Sequence, residues 1–239
     1  THFAVVYIDG HKHSLAHHSI RPAFAIVDPA LTDSLPASVT AVSGLDAFCQ
    51  AVESYWSVHS TEATRRWSAR SISLILEYLL RAVHEPDEDS RNALCEAAHL
   101  AGRAIDVTKT TAPHAISYTM TSRFGVPHGQ AVAVTLGELL VYNSLVTAED
   151  VTDPRGAEHV NRVIEELNAL LGTASAEASR ERIRSLIRSV GLATRLATLG
   201  IRHPQDHQLL LENLNSQRLQ NNPRALQPEQ LRPILRRIA

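Results

Sequence analysis

The sequence predicts a mainly α-helical chain entered through a few short strands. Strand-like patterns are confined to the first 35 of its 239 residues. From Leu35-Pro36 onward, apolar residues recur at helical spacing in runs closed by glycine, proline or charged breaks. No glycine-rich strand–turn–helix fingerprint of a dinucleotide-binding fold occurs anywhere in the chain.

Taken in order, Phe3-Ala4-Val5-Val6-Tyr7-Ile8 reads as a strand, Asp9-Gly10 as a tight turn, and His11-Lys12-His13-Ser14-Leu15 as the returning strand of a hairpin. Ala23-Phe24-Ala25-Ile26-Val27 reads as a third short strand, stopped by Asp28-Pro29. Three such strands do not make a stable sheet alone. With Thr1 in place of a methionine, residues 1–35 are therefore expected to be the strand remnant of a domain lying before residue 1, and residues 36–239 the helical body. A helix is expected over residues 43–59, and Ser43-Gly44-Leu45-Asp46 at its start resembles a capping box, with Ser43 as N-cap and Asp46 at the third helical position. Residues 62–83 form a long amphipathic pattern, Glu85-Pro86-Asp87-Glu88-Asp89 a charged break, and residues 90–106 the next helix. Helices over 114–122 and 129–145 flank the interruption Phe124-Gly125-Val126-Pro127. Further helices follow over 161–171, 176–190 and 204–214, broken at Gly172, Gly191 and Gly200. The last, 228–238, comes after the Asn221-Asn222-Pro223 turn.

Composition sets the class. A hydrophobic share of 44% with 20% charged residues describes an ordinary globular domain. A net charge of -2 gives no reason to expect nucleic acid or an anionic membrane as a partner. No apolar run reaches the roughly 18 residues that would span a bilayer, and no signal peptide opens the chain. Cys49 and Cys95 read as thiols in a reducing compartment, the cytoplasm, rather than as a disulfide. Of the 23 basic side chains only Lys12 and Lys109 are lysines, which suggests places where a compact ammonium serves better than a guanidinium. With 13 histidines in the chain, histidine number alone marks no site, and His11, His13, His17 and His18 read as a solvated polar loop.

The chemistry gathers elsewhere. Lys109-Thr110-Thr111-Ala112-Pro113-His114 is followed, fourteen residues after His114, by His128 within Gly125-Val126-Pro127-His128-Gly129. On one continuous helix the two imidazoles would lie about 21 Å apart. A reversal at residues 124–127 would let them share an ion. Asp46 and Gln50 are one helical turn apart and share a face. Asp46, His114 and His128 together make a divalent-metal site with room for a substrate oxygen, suited to polarising a carbonyl. The plainer alternatives are a capping role for Asp46, a first-turn position for His114 and a loop position for His128. Glu53, seven residues after Asp46, reads as a packing or outer carboxylate.

Gly44-Leu45-Asp46-Ala47, His114 and Pro127-His128-Gly129 resemble the metal-binding signature of the iron-dependent alcohol dehydrogenases. More narrowly, three segments resemble the phosphonoacetaldehyde reductase branch of that family: residues 50–57, residues 109–118, and Gln217-Arg218-Leu219-Gln220-Asn221-Asn222-Pro223. The resemblance runs from about Phe3 to the C-terminus. It implies a dehydroquinate synthase-like, all-helical metal-binding domain after an α/β nucleotide-binding domain. It implies Fe2+, or Zn2+ or another divalent ion, held by Asp46, His114 and His128, with Gln50 as a weak fourth ligand where the wider family has histidine. NADH or NADPH is the implied hydride donor, with Lys12 as a nucleotide contact. The implied reaction takes phosphonoacetaldehyde to 2-hydroxyethylphosphonate. Lys109, with Thr110, Thr111 and the start of a helix, would hold the phosphonate, and Arg123 is a second candidate for that anion. Tyr118 stands where the wider family has a further active-site histidine, and a phenol there could pass a proton. A homodimer and the missing N-terminal domain are the expected protein partners. Two other readings stand beside this one: a reductase of another small aldehyde, and a noncatalytic helical fragment that binds metal or a partner chain.

Overall fold

Pairing, rather than propensity, decides which of the early runs become strands. β1 (Phe3–Ile8) and β2 (His11–Ala16) form an antiparallel hairpin, in register from Phe3 opposite Ala16 to Ile8 opposite His11. The computed structural model describes residues 1–8 and 11–239, and their side chains at all positions but 5, 7, 8, 11–14 and 217. The expected Asp9-Gly10 turn thus lies outside the described residues. His11 and His13 belong to a strand instead of a loop, while His17 and His18 are exposed as expected. Residues 23–27 are not a strand: they pair with nothing among the described residues, and Phe24 and Ile26 are 88% and 95% exposed. An extended run needs a neighbouring edge to supply its ladder of hydrogen bonds. Here the chain turns off at Asp28, whose Oδ1 accepts from Ala30 N at 3.1 Å and opens the 3-10 turn Pro29–Thr32.

Helices then follow one another. α1 (Ala37–Trp56) starts six residues before its expected beginning. Ser43 is therefore not an N-cap; it lies inside α1 and its hydroxyl donates to the Val39 carbonyl at 2.8 Å. Gly44 is a packing position, since a Cβ there would meet the Leu79 side chain at 2.4 Å. α2 (Glu62–His84) is opened by a reciprocal cap between Thr61 and Thr64, and α3 (Glu88–Thr108) by one between Asp87 and Ser90. The charged break thus supplies its own helix start. α4 (Ala112–Phe124) closes at Gly125 in the left-handed region, and α5 (His128–Asn143) begins after Pro127. α6 (Ala157–Leu170), α7 (Ala176–Ser189), α8 (Pro204–Glu212), the short unforeseen α9 (Ser216–Leu219) and α10 (Pro228–Arg237) complete the chain. No helix of the described residues is long and apolar enough to cross a membrane.

Two apolar clusters hold these helices. One joins α1, α2, α3, α5, α6 and α7 through residues such as Phe48, Ile75, Leu136 and Ile164. The other joins α4, α5, α8 and α10 through Ile116, Leu139, Leu210 and Leu235. Full burial of each such side chain contributes about 1.5–3 kcal/mol. α5 belongs to both clusters and is buried on nearly every side, which is why its sequence is apolar all round. His128 at its N-terminus is one of the few positions on it that open partly to solvent.

Candidate metal centre

The reversal between α4 and α5 does what the sequence requires of it. His114 sits in the first turn of α4, His128 is the first residue of α5, and Asp46 faces both from the middle of α1. One ligand atom from each of the three lies within 4.8 Å of the others. Asp46 Oδ1 is 3.6 Å from His114 Nε2 and 3.9 Å from His128 Nε2, and the two rings meet edge to face at 5.3 Å. Gly129 permits this approach, because a Cβ there would meet the Val42 carbonyl oxygen at 2.0 Å and Asp46 Cβ at 3.0 Å.

Hydrogen bonds behind the cluster aim its donors. Glu53, wholly buried on α1, accepts from His114 Nδ1 at 2.5 Å and from the amide and hydroxyl of Thr111 at 2.6 and 2.8 Å. The Thr111 hydroxyl in turn accepts from Trp56 Nε1 at 2.9 Å. With Nδ1–H committed to Glu53, the lone pair of His114 Nε2 is left facing the cluster, the tautomer that a metal ligand needs. Gln50 Nε2 donates to Asp46 Oδ2 at 2.8 Å. Asp46 Oδ1 is buried and has no hydrogen-bond partner. A buried carboxylate oxygen without a donor is costly unless a cation supplies the missing contact. Two imidazoles and a carboxylate fit a divalent ion of borderline softness such as Fe2+ or Zn2+.

Electrostatics point the same way. Burial by itself would lower the His114 imidazole, but the Glu53 and Asp46 carboxylates outweigh it and push it up to about 9. Burial likewise raises the Asp46 carboxyl, and the His114 and His128 imidazoles with the Gln50 amide reverse that and hold it below its ordinary value. The two carboxylates thus favour positive charge at the cluster.

The remaining sequence candidates fall in different places. Tyr118, one turn along α4 from His114, stacks on the His128 ring at 6.2 Å between centroids. Lys109 is not at the start of α4; it caps the C-terminus of α3 with φ 61 and ψ 175, and Thr111 is the N-cap of α4. Of the groups expected to receive a phosphonate there, the Thr111 amide is taken by Glu53, and Thr110 and Thr111 are both buried. Lys109 Nζ instead lies 2.8 Å from His2 Nε2 and 4.1 Å above the Phe3 ring. Arg123 is exposed in the last turn of α4, about 14 Å along the helix axis from His114, and does not join the cluster. The side chain of Lys12 lies outside the described residues. The Thr111–Trp56 link to Glu53 was missed by the sequence reading, and only the seven-residue spacing from Asp46 hinted at Glu53.

A profile described as Fe-containing alcohol dehydrogenase family, C-terminal, matches residues 40–239. The chain belongs to the iron-containing alcohol dehydrogenase family. Among its relatives in that family, the phosphonoacetaldehyde reductase of Streptomyces viridochromogenes is 40% identical over 98% of this chain and 59% of its own length. Alcohol dehydrogenase 4 of Schizosaccharomyces pombe is 30% identical over 89% of this chain and 46% of its own length. Among solved structures, a sulfoacetaldehyde reductase from Bifidobacterium kashiwanohense in complex with NAD+ superposes with a TM-score of 0.85 at 29% identity, covering 100% of this chain and 61% of that one. The chain thus spans less than two thirds of the length of these family members.

Proposed function

We propose that this chain carries the metal centre of an NAD(P)H-linked aldehyde reductase whose substrate is phosphonoacetaldehyde, reduced to 2-hydroxyethylphosphonate. The observation that carries the reading is the convergence of Asp46, His114 and His128 around an unpartnered Asp46 Oδ1. The choice of substrate rests on the 40% identity to a phosphonoacetaldehyde reductase. When bound, a divalent ion supplies Lewis acidity towards the aldehyde oxygen, and a reduced nicotinamide supplies the hydride. The chain's own residues do the rest. Glu53 fixes the tautomer of His114; Gln50 orients Asp46 through Oδ2 and keeps its carboxamide oxygen as a weak fourth donor. Tyr118, stacked on His128, would pass a proton to the product oxygen in this reading. A nucleotide-binding domain completes this reading, with a homodimer as the expected assembly. The free thiols Cys49 and Cys95 fit a reducing compartment, taken here as the cytoplasm.

The test uses the whole polypeptide that the gene encodes, loaded with Fe2+ or Zn2+. NADH and NADPH oxidation is followed with phosphonoacetaldehyde, sulfoacetaldehyde and propionaldehyde. The expected order of kcat/KM places phosphonoacetaldehyde first, with turnover abolished by a chelator and by His114→Ala. Faster turnover of sulfoacetaldehyde would move the assignment to the neighbour's substrate. Tight metal with no turnover of any aldehyde would favour the noncatalytic alternative.

A further inference from the structure

Two of the three segments that narrow the resemblance, 109 residues apart at their lysine and arginine, meet in space. Asn221 Nδ2 donates to the Thr110 carbonyl at 2.9 Å, and Val58 N donates to the Asn221 carbonyl at 3.1 Å. These bonds lay residues 216–221 against the α3–α4 junction. Lys109 Nζ then stands 4.1 Å from the centre of the Phe3 ring, and the guanidinium carbon of Arg218 stands 5.5 Å from it. Among the described residues, neither cation has a salt bridge, and the Arg218 guanidinium donates no hydrogen bond. Lys109 has His2 Nε2 as its polar partner, while His2 Nδ1 lies 2.8 Å from Asp106 Oδ1. With Nδ1–H given to that carboxylate, Nε2 accepts from the ammonium, whose other N–H groups remain to be used. Burial and then the charge of Arg218 lower Lys109 below its ordinary value, against the opposing pull of Asp106. Lys109 is also the one non-glycine residue with positive φ among those described. Backbone strain of this kind concentrates where a side chain must be aimed.

We propose that Lys109 and Arg218 form a two-cation clamp for the tetrahedral oxyanion of the substrate, a short-chain phosphonate. The proposal rests on the reductase reading above and names the part of the site that recognises the end of the substrate remote from the reacting carbonyl. Lys109 precedes by two residues Thr111, which bonds the same Glu53 carboxylate that holds His114. The clamp and the metal ligands are therefore tied to one buried carboxylate. A guanidinium offers a fork of donors and an ammonium a point charge, a pairing suited to three oxygens on one phosphorus. A phosphate of the dinucleotide shares that chemistry, so the test separates the two sources.

Binding of 2-hydroxyethylphosphonate, ethanol and ADP-ribose is measured by calorimetry on the metal-loaded whole polypeptide, for wild type, K109Q, R218Q and R218K. Metal content and melting temperature are recorded for each. K109Q and R218Q are each expected to weaken 2-hydroxyethylphosphonate by about tenfold or more and to leave ADP-ribose unchanged, with R218K recovering part of the loss. Should K109Q fail to fold, R218Q carries the test alone, because its side chain makes no hydrogen bond to a described residue. A selective loss of ADP-ribose binding assigns the pair to the nucleotide and overturns the clamp. If wild type prefers the phosphonate to ethanol but the variants keep that preference, the clamp falls and the reductase reading stands. If wild type shows no such preference, the phosphonate assignment itself fails and the clamp with it.

Discussion

A Cβ on Gly129 would meet a main-chain oxygen of α1 at 2.0 Å, and main chain inside a packed helix cannot swing aside as a side-chain tip can. Gly129→Ala must push the start of α5, and His128 with it, away from Asp46. The expected cost is about 1–3 kcal/mol in urea unfolding, accompanied by a fall in metal affinity; metal binding at the wild-type level would show that α1 and α5 can part without disturbing the ligands. Glu53→Gln acts on the other histidine. It keeps the shape and one acceptor but removes the charge behind His114 Nδ1. Metal affinity, read by competition with a chromophoric chelator, is expected to drop about 10- to 100-fold. No change would mean that packing alone orients the ring. His114, His128 and Asp46 were legible because proline, glycine and helical spacing mark them locally. Glu53's contact with His114 was not, because it depends on how α1 and α4 cross, which no local pattern encodes.

At the scale of elements, the junction between α3 and α4 stores strain. Lys109 adopts φ 61 with ψ 175, a conformation that glycine takes freely and other residues avoid. Lys109→Gly is expected to raise stability by about 1 kcal/mol in urea unfolding while removing one arm of the clamp. A loss of stability would mean that the contacts of Nζ with His2 and Phe3 outweigh the backbone cost. The same junction shows why Lys109 was assigned to a helix start from sequence: its two threonines and proline do announce α4, but the register of α3's ending is set by tertiary packing. Ser43-Gly44 misled for a related reason. A serine before glycine imitates a helix boundary, whereas this glycine is small because Leu79 of α2 occupies the space. Residues 23–27 carry strand propensity and lack a partner among the described residues, so propensity alone could not decide their structure.

Across the whole molecule, the two apolar clusters are joined by α5 and fastened at its far end by a buried amide pair. Asn222 Nδ2 donates to Asn143 Oδ1 at 2.9 Å and to the Arg224 carbonyl at 2.7 Å, and its own oxygen accepts from Asn143 Nδ2 at 3.4 Å. Both residues are fully buried. Asn222→Ala leaves the Asn143 amide and the Arg224 carbonyl unpaired, and should destabilise the fold by about 2–3 kcal/mol in urea unfolding. A loss below about 0.5 kcal/mol would indicate that a water molecule replaces the lost amide. The mainly helical architecture was readable because most helices end at glycine or begin at a polar cap, as at Gly125 and Ser175. The Asn143–Asn222 fastening was not, since it joins residues 79 positions apart.

The bond from Trp56 to Thr111 gives the protein an optical reporter of the candidate metal centre. The chain has two tryptophans, and Trp56 is the one wired through Thr111 and Glu53 to His114, while Trp67 lies beneath Arg103. An ion arriving at His114 Nε2 redistributes charge along that wire and alters the hydrogen bond at the indole. Emission of Trp56 should therefore shift on metal loading without any added label. Thr111→Val, which cuts the wire at the hydroxyl, should abolish the shift while metal still binds.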